Sequence, residues 1–278
     1  MTDTRRDPTR RDFLRTAAMG AVGAGLIPHL QGCSPAQTPA VSPFDVWTWV
    51  HGGDERSRDE WLARFGTLRE AGIHKILVGG GDTDMHADLA RESGMELHRW
   101  EWILNRNGDA WVRENHPEWF TVSREGKSTH SDPPYVGYYR WLCPSREPVR
   151  AYLTEKMAGV ADHDGVAGVH LDYIRHSDVI LPRGLWDTYD IVQDQEYPPY
   201  DFCYCDECRS QFGELTGRDP MELDDPPSDE EWVRFRWDSV TRLVTQLSAA
   251  VHARSKPISA AVFPLSLIHI SEPTRPTT

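Results

Sequence analysis

Residues 168–175 read Gly168-Val169-His170-Leu171-Asp172-Tyr173-Ile174-Arg175. The run belongs to an extended segment, Val166 to Arg175, that reads as a strand of a parallel sheet. Side chains alternate across a strand, so His170 and Asp172 share one face while Leu171 and Tyr173 share the other. An ionised carboxylate in the middle of such a strand carries a large desolvation cost, which places Asp172 at the C-terminal end. In a (β/α)8 barrel that end opens on the mouth where active sites are built, and there a carboxylate can serve as a general acid or base.

Outward from this strand, extended apolar runs alternate with amphipathic stretches of helical period. The first strand is Phe44 to His51. A helix from Arg58 to Ala71 follows, with Trp61, Leu62, Phe65 and Leu68 on one face and Gly72 as its stop. The second strand is Ile73 to Val78, the second helix Asp84 to Glu92, and the third strand Met95 to Leu104. A long loop, Asn105 to Pro144, leads to a helix over Glu147 to Ala161 and to the fourth strand, Val166 to Arg175. A second excursion, His176 to Ser228, precedes a helix over Asp229 to Arg254, for which Ser228 and Glu231 have the spacing of a capping box. Ile258 to Phe263 reads as the fifth strand.

This alternation predicts an α/β chain of the TIM type: a (β/α)8 barrel truncated after about strand 5, with long loops after strands 3 and 4. Those two loops emerge at the mouth. The rival architecture is an open doubly wound sheet. No Gly-x-Gly-x-x-Gly turn follows the first strand, and Gly79-Gly80-Gly81 after the second lacks the Lys-Ser/Thr of a phosphate loop.

The 278 residues carry 43 acids and 30 bases, a formal charge of −13. Nucleic-acid affinity rests on Lys and Arg neutralising phosphates, so this balance argues against a nucleic-acid partner. Neutral ligands are not disfavoured, and 11 Trp with 9 Tyr supply flat apolar faces for them. Trp47, Trp49 and His51 share a face of the first strand at period 2 and are candidates for substrate stacking and hydrogen bonding. His170 and Trp100 join them as candidate substrate contacts. Glu101, in His98-Arg99-Trp100-Glu101-Trp102, is the best second carboxylate to accompany Asp172.

Cys203-x-Cys205-x-x-Cys208 can place three thiolates around one tetrahedral ion, with Cys143 or a nearby Asp or His as the fourth ligand. Structural zinc is the metal expected, and a disulfide is the alternative for an exported chain.

Thr9-Arg10-Arg11-Asp12-Phe13-Leu14-Arg15, followed by a Gly/Ala-rich apolar stretch, resembles a twin-arginine export signal ending near residue 32. Leu30-Gln31-Gly32-Cys33 resembles a lipobox, in which Cys33 would carry a lipid anchor; cleavage after Ala36 is the alternative. These features imply an exported protein, periplasmic or membrane-anchored, whose residues 33–43 form a Ser/Pro/Ala/Thr-rich linker. At the other end, Leu265 to Arg275 resembles the in-frame translation of a sequencing-library transposon adaptor. Residues 265–278 are therefore expected to be non-native, and residues 44–264 to be a partial barrel.

Four segments also carry a family resemblance: residues 168–175, the Trp47-x-Trp49-Val50-His51 strand, His116-Pro117-Glu118-Trp119-Phe120, and the cysteine-bearing run from Phe202 to Phe212. Together they resemble bacterial glycosyl-hydrolase-like proteins related to the family 10 group and the wider barrel clan. The resemblance implies a (β/α)8 fold and hydrolysis of glycosidic bonds, with Asp172 at the position of the clan's strand-4 carboxylate. Glycoside hydrolysis pairs two carboxylates, and the partner of Asp172 is expected either at Glu101 or on a strand beyond the fifth. Two other readings are a non-catalytic carbohydrate-binding surface lipoprotein and a hydrolase whose zinc sits in the cysteine cluster.

Overall fold

The computed structural model describes residues 45–177 and 180–262. The export signal, Cys33, the linker and residues 265–278 lie outside the described residues. Five strands, β1 (Trp47–His51), β2 (Lys75–Gly79), β3 (Glu96–Trp102), β4 (Gly168–Asp172) and β5 (Ile258–Ala260), form one parallel sheet in the order β1-β2-β3-β4-β5. Helices connect them: α1 (Arg58–Glu70), α2 (Thr83–Glu92), a short α3 (Ala110–Asn115) ahead of α4 (Glu147–Asp162), then α5 (Trp186–Tyr189), α6 (Asp206–Thr216) and α7 (Glu230–His252). A doubly wound sheet reverses its strand order partway, so a chain that advances strand by strand in one direction excludes that architecture. Right-handed crossovers advancing this way put their helices on one face of the sheet.

Alternation along the strands follows from that one-sided cover. Val50, Ile76, Val78 and Leu97 are buried against Trp61 and Phe65 of α1 and Leu89 of α2. Val169 and Leu171 are buried against Leu153 and Met157 of α4 and Leu243 and Leu247 of α7. The opposite, helix-free face carries Trp47, Trp49, His51, Leu77, Gly79, His98, Trp100, Trp102, Gly168, His170, Asp172 and Ser259, as the strand register requires.

Two glycines set how flat this face lies. A Cβ on Gly79 would stand 2.6 Å from Trp100 Cε3, and one on Gly168 would stand 2.4 Å from His98 Nδ1 and 2.9 Å from the Pro257 carbonyl oxygen. The glycines let the Trp100 and His98 rings lie over neighbouring strands, a close approach that any larger residue would block.

The helix boundaries have local causes. Ser57 caps α1 through a reciprocal capping box with Glu60, and Asp82 caps α2 by accepting from the Met85 N–H. For α7 the sequence pointed to Ser228, and the structure corrects this. Pro226–Ser228 is a 3-10 turn, so the cap shifts by one residue to Asp229, whose Oδ1 accepts from the Trp232 N–H at 2.9 Å. Glu231 bonds to Arg218 instead of closing a box. The long loops are also more ordered than a loop reading implies: the first holds α3 and the Pro117–Trp119 turn, the second α5 and α6. Among the described residues, no helix is long and apolar enough to cross a membrane.

Two stability predictions follow from these features. Asp229→Ala should lower the unfolding free energy by about 1–2 kcal/mol, because the cap and its contacts to Arg218 are both lost. Ser228→Ala should stay within about 0.5 kcal/mol of the parent in the same denaturant titrations; equal effects would contradict the cap assignment. The second concerns His98, which is 3% exposed and whose pKa burial depresses to about 4. An unfolded histidine protonates near about 6.5, so between these values only the unfolded chain takes up the proton. This contribution is complete above about pH 6.5 and is lost as pH falls towards 4. His98→Gln should flatten the stability profile in that window; an unchanged slope would show that other groups control it.

Candidate active site

Asp172 is the last residue of β4, and its carboxylate is held from two sides. The Trp100 indole N–H donates to Oδ2 at 2.9 Å, and the Tyr173 backbone N–H donates to Oδ1 at 2.7 Å. The first bond comes from the neighbouring strand, where Trp100 and Asp172 share the helix-free face. The second depends on the backbone leaving the extended region: Tyr173 has φ +50°, a left-handed conformation uncommon for a non-glycine residue. Such positions persist where surrounding contacts hold them.

Tyr173 packs against the core that holds Leu171, as alternation expects. At the strand end its ring also meets Trp102 of the helix-free face edge-on at 4.8 Å, and Trp141 at 5.3 Å. Tyr138, from the loop after β3, approaches Trp102 at 6.2 Å, and the Arg175 guanidinium lies over the Trp141 and Tyr173 rings. Asp172 therefore adjoins an aromatic cluster built from two strand ends and a loop. Trp102, Tyr138 and Tyr173 were not singled out from the sequence. Period 2 from Trp100 would have found Trp102, whereas only the folded loop brings Tyr138 near.

The five expected substrate-contact residues share the helix-free face. Trp47 packs on His98 at 4.6 Å, Trp49 on His170 at 5.7 Å and His51 on Trp100 at 5.0 Å. Trp49 is 52% exposed and His51 is also exposed, so both can meet a ligand. His170 is buried beneath them. Its Nδ1 lies 2.8 Å from Ser259 Oγ, and burial lowers its pKa against the pull of Asp172, so the ring is neutral at neutral pH.

Glu101 does not join this group. It lies between Trp100 and Trp102, and alternation turns it to the helix-covered face, where Arg99 reaches its Oε1 at 3.3 Å. Lys156 and His163 line the same cleft. The expectation that Glu101 and Asp172 flank one bond is corrected by this placement: the sheet separates them. At the C-terminal strand ends, Asp172 is the only carboxylate on the helix-free face among the described residues.

The four cysteines converge as the spacing suggested. Cys143, from the loop after β3, joins Cys203, Cys205 and Cys208, from the loop after β4, and all four sulfurs lie within 4.8 Å of one another. They are buried in a separate core with Phe202, Tyr204, Phe212, Trp232 and Phe235. Four buried thiols would fill a tetrahedral coordination sphere, so this geometry offers no open position for a catalytic metal.

No protein-family profile matches the sequence, and no curated protein matches it. Solved structures do. The α-L-fucosidase isoenzyme 2 of Paenibacillus thiaminolyticus is similar with a TM-score of 0.51 at 16% identity, over 77% of this chain and 32% of the fucosidase. A GH36 α-galactosidase of Geobacillus stearothermophilus, solved with stachyose, has a TM-score of 0.43 at 12% identity, over 78% of this chain and 27% of that one. An α-galactosidase of Lactobacillus brevis has a TM-score of 0.44 at 11% identity, over 77% and 26%. This chain thus spans about a third or less of each protein's length. The likeness to the fucosidase is one of fold alone: the α/β architecture described above resembles part of that protein.

Proposed function

We propose that Asp172 is a catalytic carboxylate of a (β/α)8 glycoside hydrolase acting on a neutral or weakly charged glycan. The observation that carries this reading is the position of Asp172: a carboxylate at a strand's C-terminal end, oriented by the Trp100 indole and bordered by aromatic rings. Apolar sugar faces pack on aromatic rings, and the polar edges of Trp and Tyr can hydrogen-bond to hydroxyls. The formal charge of −13 disfavours polyanionic substrates. Hydrolysis pairs two carboxylates, about 5–5.5 Å apart when configuration is retained and about 6.5–9.5 Å apart when it is inverted. With Glu101 on the other face, the reading assigns the partner to a strand that follows β5 in an eight-stranded barrel.

That no second carboxylate shares the helix-free face with Asp172 at the described strand ends favours one other reading, a surface protein that binds glycans without cleaving them. Assays on the complete gene product separate the two. Hydrolysis of aryl glycosides or oligosaccharides supports the enzyme, whereas quenching of Trp fluorescence by glycans without turnover supports the binder.

In the active enzyme, Asp172→Asn should lower kcat by about a hundredfold or more with little change in melting temperature. Full activity in that variant would move the chemistry elsewhere. Trp100→Phe keeps a ring but removes the donor to Asp172, a charge-assisted bond worth roughly a factor of ten, so kcat should fall more than KM rises. A change confined to KM would reduce Trp100 to a stacking surface.

The proposal also includes export by the twin-arginine route with acylation at Cys33. Changing Arg10 and Arg11 to Lys should leave the precursor in the cytoplasm, and Cys33→Ala should release the mature protein from membranes. Unchanged periplasmic recovery, or unchanged membrane partitioning, would remove the respective step.

A further inference from the structure

We infer that Cys143, Cys203, Cys205 and Cys208 form a structural zinc site that fastens the loop after β3 to the loop after β4. The inference is independent of the glycosidase reading, since it rests on a different core and different residues. Cys143 is separated by 60 residues from Cys203, yet both sulfurs belong to one group whose members all lie within 4.8 Å of each other. The Cys143 and Cys208 sulfurs are 3.4 Å apart and those of Cys143 and Cys205 are 3.7 Å apart. Ligands at the usual Zn–S distance of about 2.3 Å stand about 3.8 Å apart along a tetrahedron's edge, so the cluster needs little adjustment to close on an ion. All four cysteines are free thiols here, with separations near a tetrahedral edge and well beyond the about 2.05 Å of a disulfide.

The surroundings suit an anionic centre. Four thiols give up four protons to solvent as Zn2+ enters, leaving a net charge of −2 on the centre. Arg146 is close enough to Cys143 and Cys205 to interact electrostatically with both. The Val122 N–H points at Cys203 Sγ, 3.4 Å away. Cys205 is the N-cap of α6, and Cys208 lies in its first turn, where the helix dipole favours negative charge. Sulfur donors select soft or borderline ions, zinc or iron among them, over magnesium or calcium. Burial of all four sulfurs identifies the role as structural.

The ion's mechanical effect can be read from what it joins. Ser123 pairs with Phe202, the Arg124 N–H donates to the Asp201 carbonyl at 3.0 Å, and the Tyr204 N–H donates to the Val122 carbonyl at 2.8 Å. Tyr135 also stacks on Tyr200 and donates to Gln193, and an apolar core around the cysteines packs the two loops against each other. A four-thiolate ion would add a covalent-strength tie between them, on the side of the sheet where the strands end.

Metal analysis of the full chain, purified without chelator, is the primary test. Elemental analysis should find about one zinc per chain, and X-ray absorption should show four sulfurs near 2.3 Å. Cys143→Ser and Cys208→Ser should each reduce zinc at least fivefold and increase proteolysis within residues 105–144 or 176–228, whereas Cys33→Ser should retain full zinc. If the cysteine variants fail to fold, the metal content and sulfur shell of the unaltered protein still decide the matter. Protein without metal, mass spectra showing a disulfide among the four cysteines, iron in place of zinc, or a zinc shell with fewer than three sulfurs would each overturn the assignment.

Discussion

Parallel strands that advance one place at a time, each joined to the next by a right-handed crossover, leave a sheet covered on one face only. That constraint organises the rest of the molecule. Residues turned towards the helices must be apolar or internally paired: Val50, Ile76, Leu97, Val169 and Leu171 fill this face, and the Arg99–Glu101 pair is tolerated because each charge has a partner. Positions turned the other way can hold His and Asp, whose polar groups an apolar core would leave unpaired, alongside Trp. Asp172 and Glu101 come from adjacent strands and have the same chemistry, yet the two-residue pleat gives one a strand-end site and the other a structural ion pair.

The helix-free face is a packed surface in its own right. Trp47, Trp49 and His51 each lean onto the ring of a neighbour, His98, His170 and Trp100 respectively. Gly79 and Gly168 provide the space in which Trp100 and His98 lie. Burial keeps His98 and His170 neutral at neutral pH, which removes positive charge from beneath Asp172. The indole of Trp100 thereby does two things at once: its ring covers Gly79, and its N–H fixes the carboxylate.

The two long loops after β3 and β4 are joined to one another through a second core made of Phe202, Tyr204, Phe212, Trp232 and Phe235 around the four cysteines. Asp201 sits within it, almost fully buried, bonded to Tyr204 and Arg236; burial raises its pKa against the pull of Arg236. A buried carboxylate with two partners is a specific arrangement that fixes how the second loop enters the core. The aromatic cluster beside Asp172 draws Tyr138 and Trp141 from the first of these loops, so the loop's anchorage bears directly on the shape of the candidate site.

By itself, the sequence determined the strand and helix succession, because hydrophobic period is a local property: five strands and four major helices fall within a few residues of their expected bounds. It also placed Asp172 at a strand end and grouped Cys143 with the Cys203-x-Cys205-x-x-Cys208 run, since desolvation cost and ligand spacing are legible in one dimension. Tertiary structure decided the rest. Glu101 follows alternation in an Arg-Trp-Glu-Trp run that puts two charges on one face and two indoles on the other, with no aliphatic side chain to mark the core, so only helix packing shows which face is covered. The α7 cap moved to Asp229 because the preceding prolines form a 3-10 turn, and the left-handed backbone of Tyr173 at the strand end lets a ring packed on the helix-side core also reach Trp102. The Trp100–Asp172 hydrogen bond joins residues 72 positions apart. Such a contact depends on strand register, which is set by the packing of the whole sheet and not by any single segment of the chain.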